Sequence, residues 1–330
     1  MRVLIPFFTV IVLVLLAFAG VKMANLHFLF GVLIPYAAVV VFILGFIYRV
    51  VQWGRSPVPF RIPTTCGQME SLPWIKQSKL ENPSTTMGVI GRMLLEVLFF
   101  RSLFRNIKTE FREGPKLSYG SDKWLWMAGL AFHWSFLIIL IRHLRFFSLN
   151  VPFVIKIMES LDSFLQIGVP LLYITDAVIL GAVTFLVIRR FWIPQVRYIS
   201  LAADYFPLFL ILGVAVSGIL MRYFLKVHIV GVKELAMGLV SFSPAIPEGV
   251  GVIFYIHLFL ICVLFAYFPF SKLMHMGGVF LSPTRNLANN SRAVRHINPW
   301  NYPVHVHTYE EYENDFRDKM KKAGLPVEKE

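Results

Sequence analysis

Six long, mostly apolar stretches dominate this chain: Leu4–Ala19, Phe28–Val51, Trp124–Phe147, Val169–Ile188, Leu201–Met221 and Val250–Phe268. Runs of this kind read as helices that cross a bilayer. Barrel strands do not explain them, because transmembrane strands are shorter and alternate apolar with polar residues. Composition agrees: of 330 residues, 57% are hydrophobic and only 15% charged, at a mean hydropathy of +0.65. A soluble domain of this size carries far more charge. The sequence therefore predicts an all-α membrane protein with six transmembrane helices.

The formal charge of +13 invites a nucleic-acid reading, but the basic residues are concentrated in particular interhelical loops. Positive loops are held on the cytoplasmic side and set orientation. Twelve Lys/Arg lie between Arg49 and Lys123, three more are Arg189, Arg190 and Arg197, and Lys272 with the tail adds nine. With Arg2 this makes 25 on one side and seven on the other. The expected protein is multi-pass in the cytoplasmic membrane with both termini cytoplasmic, its partners including the lipid bilayer and no nucleic acid. Arg2, the run Val3–Phe18 and Ala17-Phe18-Ala19 resemble a secretory signal peptide; the segment is read here as a retained anchor helix.

The chain divides into residues 1–52 with two N-terminal transmembrane helices, a cytoplasmic loop over 53–123, a four-helix core over 124–285, and a cytoplasmic tail over 286–330. Within the loop, Met87–Arg105 reads as an amphipathic helix, and two roles stand open for it: lying on the membrane surface or docking a partner. Ser56–Cys66 is punctuated by prolines and reads as extended. Cys66 and Cys262 fall in a loop and in a transmembrane segment, so they form no disulfide and hold no iron–sulfur cluster.

Four histidines lie in two of the apolar segments: His133 and His143 in the third, His257 and His275 in the sixth, which is expected to continue past a kink at Pro269. An ionisable group in lipid usually faces a partner, a cavity or a metal. Because the two segments run antiparallel, depth pairs His143 with His257 near the outer face and His133 with His275 near the inner one. Neutral imidazoles in two matched pairs are the axial-ligand set of two haem irons. A lone intramembrane histidine more often hydrogen-bonds a neighbouring carbonyl, and the pairing is what favours metal. Spacing fits imperfectly: on straight helices the two pairs are separated by about 15 Å and about 27 Å, and His133 and His143 point about 80° apart. Arg142 and Arg145 flank His143, and two readings stand for them, an anionic partner such as a haem propionate or snorkelling to headgroups. His27, His228, His296, His305 and His307 read as peripheral. His305-Val306-His307 lacks a third ligand nearby and reads as surface.

Several motifs resemble the haem-b membrane subunit of respiratory nitrate reductase over roughly residues 124–285. They are Phe132-His133 with His143, Arg189-Arg190-Phe191-Trp192-Ile193-Pro194-Gln195-Val196-Arg197, His257, and Phe268-Pro269-Phe270-Ser271-Lys272-Leu273-Met274-His275. The extra N-terminal helix and Pro57-Val58-Pro59-Phe60-Arg61-Ile62-Pro63-Thr64-Thr65-Cys66-Gly67 resemble the cytochrome b subunit of the Dsr (sulfite-reduction-associated) complex and its Hme counterpart. The resemblance implies a dihaem b helical bundle with two haem b. It also implies electron exchange between menaquinol/menaquinone and a cytoplasmic iron–sulfur subunit related to heterodisulfide reductase, in sulfur-metabolism respiration, beside other membrane and cytochrome c subunits. Quinone would bind near His143 and His257, with Arg142, Arg145, Lys156 or His228 handling its oxygens. Lys156 is not at the spacing of the family's quinone-site lysine, so that role does not transfer to it. Alternatives are the cytochrome b subunit of a nitrate reductase or heterodisulfide reductase, a haem-free membrane anchor, and a proton-conducting transporter subunit.

Overall fold

The computed structural model describes residues 2–56, 67–105, 108–114, 116–163, 171–282, 285–293 and 303–329. Residues 57–66, with Cys66, and His296 lie outside the described residues. The described chain is mostly helical. α1 (Leu4–Phe18) runs on through a widened turn, Ala19–Met23, and another, Leu29–Leu33, leads into α2 (Ile34–Gly54). Next come α3 (Thr86–Phe99), α4 (Arg101–Phe104) and a hairpin of β1 (Lys108–Arg112) and β2 (Lys116–Gly120), paired antiparallel from Lys108 opposite Gly120. Then follow α5 (Lys123–His143), α6 (Phe153–Asp162), α7 (Ile174–Trp192) and α8 (Pro194–Ile199). α9 (Ala202–Ile219) continues as a widened turn, Leu220–Leu225, before α10 (Ile229–Val240), α11 (Val252–Tyr267), α12 (His275–Leu281) and α13 (Tyr309–Lys322).

Five of these helical segments are long and apolar enough to cross a membrane: Leu4–Met23, Leu29–Gly54, Lys123–Phe147, Ala202–Leu225 and Val252–Phe270. The other expected span, Val169–Ile188, begins on residues outside the described ones. Its helix α7 carries Asp176, Arg189 and Arg190, which make it less apolar than the five. α7 nevertheless sits inside the bundle, between α5 and α9, while α9 packs on α1 and α11, and α11 on α2. Val10, Val21, Phe30, Val183, Leu210, Tyr255 and Leu260 form the buried centre of this packing. Leu4, Ile5, Phe8, Val12 and Leu15 on α1 remain exposed, as expected of a face turned to lipid.

Two expectations change. The amphipathic helix does not run through Arg105: it stops at Phe99, and Phe100 adopts the left-handed conformation at φ 50°. The cause is local, because Glu96 accepts hydrogen bonds from the backbone N–H and hydroxyl of Ser102 at 2.9 and 2.6 Å and so starts a separate short helix. The sixth span also breaks where a kink was expected. α11 ends at Tyr267, a 3-10 turn covers Phe268–Phe270, Ser271 is extended (φ −122°, ψ 176°), and a second 3-10 turn leads into α12 at His275. Pro269 removes an N–H from the ladder, and Ser271 caps the new turn by accepting from the N–H of Leu273.

Outside the bundle, segments 67–105 and 285–293 are joined through two buried asparagines. Asn289 donates to Asn82 Oδ1 at 2.6 Å, and its backbone N–H donates to the Pro83 carbonyl at 2.8 Å. α13 opens with a reciprocal cap in which Glu311 accepts from the N–H of Thr308 at 2.9 Å and Thr308 Oγ1 accepts from the N–H of Glu311 at 3.3 Å. The end of the chain folds back so that the N–H groups of Glu328 and Lys329 donate to Glu313 at 2.8 and 3.0 Å.

Two outcomes follow from this packing. A Cβ on Gly45 of α2 would stand 2.8 Å from Pro269 Cβ and 3.0 Å from Phe270 Cζ. Gly45→Val should therefore destabilise the protein by about 1–3 kcal/mol through overpacking, read as a lowered unfolding midpoint in detergent. Backbone N–H donors, then Arg317, hold the Glu313 carboxyl below the usual carboxylate range. That contribution is present above the unfolded glutamate value and is lost as pH falls through the depressed one. Protection factors of the α13 amides, corrected for intrinsic exchange at each pH, should fall on acidification through that window, and Glu313→Gln should remove that dependence.

Candidate functional site

Each of the four bundle histidines is anchored through Nδ1. His133 Nδ1 lies 2.7 Å from the Gly129 carbonyl, His143 Nδ1 2.7 Å from the Ile139 carbonyl, and His275 Nδ1 2.9 Å from the Lys272 carbonyl. A carbonyl can only accept, so in each ring Nδ1 carries the proton and Nε2 keeps its lone pair. His257 Nδ1 lies 2.9 Å from Ser217 Oγ. That hydroxyl is itself 2.8 Å from the Gly213 carbonyl and 3.0 Å from that of Val214. With its single proton directed to one of these carbonyls, the hydroxyl accepts from His257 Nδ1–H. Three rings are fixed in one tautomer with Nε2 the available donor, and His257, engaged through the same nitrogen, shares it in that arrangement.

The rings meet in twos. His143 and His257 have centroids 6.5 Å apart with planes at 22°, and His133 and His275 are 5.9 Å apart at 83°. Two metal–nitrogen bonds of about 2 Å plus the ring radii give a centroid separation of roughly 6 Å across one metal ion. By separation, the two rings of each pair stand within reach of one shared metal ion, and imidazole nitrogens are donors that haem iron accepts. α5 packs chiefly on α7, and α11 on α1, α2 and α9. A groove of about 540 Å³ opens beside His275, lined among others by Arg49, Trp53, Tyr267, Lys272 and Gly278.

The two pairs differ in surroundings. His257 is buried, and a Cβ on Gly218 would come 3.3 Å from its Cε1, so the Ser217–Gly218 step lets α9 approach the ring closely. His133 and His275 are exposed in the bundle. Phe100 and Phe132 lie edge-on to the His133 ring at 4.8 and 4.9 Å. The backbone leading into the left-handed Phe100 is tied to α5, because Trp126 and Trp134 donate to the carbonyls of Phe99 and Leu98 at 2.7 and 3.0 Å.

Arg142, next to His143, is buried with both forks engaged. It reaches Asp162 of α6 at 2.7 Å and Asp176 of α7 at 2.9 Å, and its guanidinium stacks 3.7 Å over Tyr173. Asp162 also accepts from the N–H and hydroxyl of Thr175 at 2.8 and 2.6 Å, and Tyr223 donates to Asp176 at 2.8 Å. The widened turn Leu220–Leu225 supplies both Tyr223 and Arg222, whose guanidinium lies 4.0 Å from the Tyr173 ring. Arg145 pairs with Glu159 at 2.8 Å, so two ion pairs clamp α6 to the end of α5. Lys156 is exposed on α6, and His228 is exposed at the start of α10, where its Nδ1 accepts from the N–H of Gly231 at 3.3 Å. At the opposite end Asp204 of α9 binds Lys272 at 2.6 Å, three residues before His275.

Sequence reasoning marked the four histidines and both arginines but missed Ser217, Phe100, Asp162 and Tyr223. Ser217 lies forty residues from its partner, so no local pattern connects them. Only Asp162, a carboxylate twenty residues from Arg142 near the same segment end, offered a signal. Because Arg142 neutralises the buried Asp162 and the half-buried Asp176, Arg142→Met should cost about 3–5 kcal/mol by leaving charge unpaired. The check is chemical unfolding in detergent, with Arg145→Met, whose pair is more exposed, losing about 1 kcal/mol or less.

Residues 93–296 match the family described as nitrate reductase gamma subunit. The Hdr-like menaquinol oxidoreductase cytochrome b-like subunit of Archaeoglobus fulgidus is 44% identical over 279 residues, 82% of this chain and 83% of that protein. The protein of the same description from Archaeoglobus profundus is 42% identical over 274 residues, 81% of each chain. The chain belongs to the nitrate reductase gamma subunit family, alongside the Hdr-like cytochrome b-like subunits.

Proposed function

We propose that this chain is a six-span dihaem cytochrome b, the membrane subunit of an Hdr-like menaquinol oxidoreductase. It exchanges electrons between menaquinol/menaquinone and a cytoplasmic iron–sulfur partner. The observation that carries the reading is the common anchoring of four rings through Nδ1, which leaves four Nε2 donors in two pairs of metal-spanning separation. His143 and His257 would hold the outer haem, and His133 and His275 the inner one. When bound, the haems supply one-electron chemistry at iron.

The chain's own residues fix the conditions for that chemistry. A hydrogen bond at Nδ1 orients an imidazole and strengthens Nε2 as a donor. Ser217 and the close approach at Gly218 keep His257 dry, while Phe100 shields one side of His133. These different surroundings give the protein separate control over the two potentials. Quinone belongs at the His143/His257 end, where Lys156 and His228 are exposed and available to its oxygens. Arg142 and Arg145 act there by fixing α6, since both are already bound to carboxylates.

Orientation follows from the basic loops: α7 serves as the sixth span, both termini are cytoplasmic, and quinol protons are released outside. The segments 1–52, 53–123, 124–285 and 286–330 then act as N-terminal helices, cytoplasmic loop, haem core and tail. The basic loop and tail face the iron–sulfur partner, and other membrane and cytochrome c subunits complete the complex. The Dsr-type motifs at the N-terminus favour a role in sulfur-metabolism respiration.

A redox titration followed by reduced-minus-oxidised spectra tests the haem assignment. The purified subunit should show a b-type signal with two potentials. His133→Ala with His275→Ala should remove one potential and about half the haem, and His143→Ala with His257→Ala the other. A subunit without b-type haem, or one whose signal survives either double substitution undiminished, overturns the reading.

A further inference from the structure

We infer that His305, His307 and Glu311 form a surface site for a divalent transition metal of the zinc type, separate from the bundle histidines. One donor atom from each of the three side chains falls within 4.8 Å of the others. The imidazoles of His305 and His307 have centroids 4.9 Å apart with planes at 75°, and His307 Nδ1 lies 4.0 Å from Glu311 Oε2. The sequence pattern His-x-His lacked a third ligand, and the fold provides it. Chain that is not helical up to Thr308 puts residues two apart on one side, and the first turn of α13 returns Glu311 beneath them.

The carboxylate is already oriented. Glu311 Oε2 accepts from the N–H of Thr308 at 2.9 Å, which pins the side chain over the helix start and leaves Oε1 available. Two imidazoles and one carboxylate are a zinc ligand set, and three protein donors leave a fourth position for water or for a donor from a docked protein. Zinc–ligand bonds of about 2.0–2.2 Å put tetrahedral donors roughly 3.4 Å apart. Rotation of the two exposed imidazoles toward the pinned carboxylate closes the remaining gap. The chemistry selects zinc, nickel, cobalt or copper over magnesium or calcium, since nitrogen donors outnumber oxygen. Bound metal would tie the chain at His305 to α13 and stiffen the entry to the tail helix.

The test uses the full-length chain in detergent, stripped with a chelator and titrated with zinc chloride by calorimetry. Any zinc taken by the bundle histidines is common to every variant, so differences between variants isolate the tail site. The unmodified chain should bind one more zinc than His305→Ala with His307→Ala. Glu311→Gln separates ligation from capping, because a glutamine still caps a helix N-terminus but lacks the carboxylate. It should weaken that zinc about tenfold or more while amide protection in α13 of the metal-free chain stays unchanged. Equal stoichiometry and affinity in the unmodified and double-histidine chains overturn the proposal, and so does an undiminished affinity in Glu311→Gln.

Discussion

A polar atom in hydrocarbon must find its partner within the protein, and that requirement organises the centre of this molecule. Each of the four bundle imidazoles has Nδ1 engaged, three with a carbonyl and His257 with the Ser217 hydroxyl. Three of the anchors come from the histidine's own segment, three or four residues back. They therefore need no long-range packing to form. Only His257 depends on another helix, and there α9 contributes a serine followed by a glycine so that backbone and ring can meet. The same four bonds that satisfy one nitrogen define the other as a lone-pair donor. The requirement of lipid and that of the proposed metal would then be met by one arrangement.

The charged residues obey the same rule at the membrane edges. Arg142 gathers Asp162, Asp176 and the face of Tyr173, so α5, α6 and α7 converge on one guanidinium. Asp204 and Lys272 join α9 to the segment carrying His275. In both cases the ion pair stands one to three residues from a bundle histidine. Asp176 and Asp204, the carboxylates a proton relay would employ, are thus held in ion pairs and hydrogen bonds that serve positioning. A haem-free anchor would need no such matched placement of imidazoles between two helices that each pack chiefly on others.

Much of this was legible in the sequence because the signals are local. Apolar runs located the five membrane-length helices, and the positions of His133, His143, His257 and His275 along antiparallel segments put them in the pairs that the structure brings together. What escaped were partners remote in sequence and breaks made by capping. Glu96 ends an amphipathic helix early by bonding to Ser102, an effect invisible to a periodicity that continues to Arg105. Glu311 reaches the chain before α13 only because a capping box folds it back. α7 is the ambiguous case: its apolar middle reads as a span, while Asp176 and the arginine pair at its ends dilute that signal and connect it to its neighbours.

The unequal spacing of the histidines on their two segments finds its answer in the backbone. His133 and His143 share one continuous helix, so their relation is fixed by helical geometry. His257 and His275 share no helix: the axis ends at Tyr267, the chain is extended at Ser271, and His275 begins a new one. The straight-helix figure of about 27 Å therefore does not apply to them. Pro269 starts the break, Gly45 of α2 makes room for the proline, and Lys272 fixes the far side through Asp204. His275 thus stands on a segment of its own, with its direction set by the break, and its ring meets that of His133 while the ring of His257 meets that of His143.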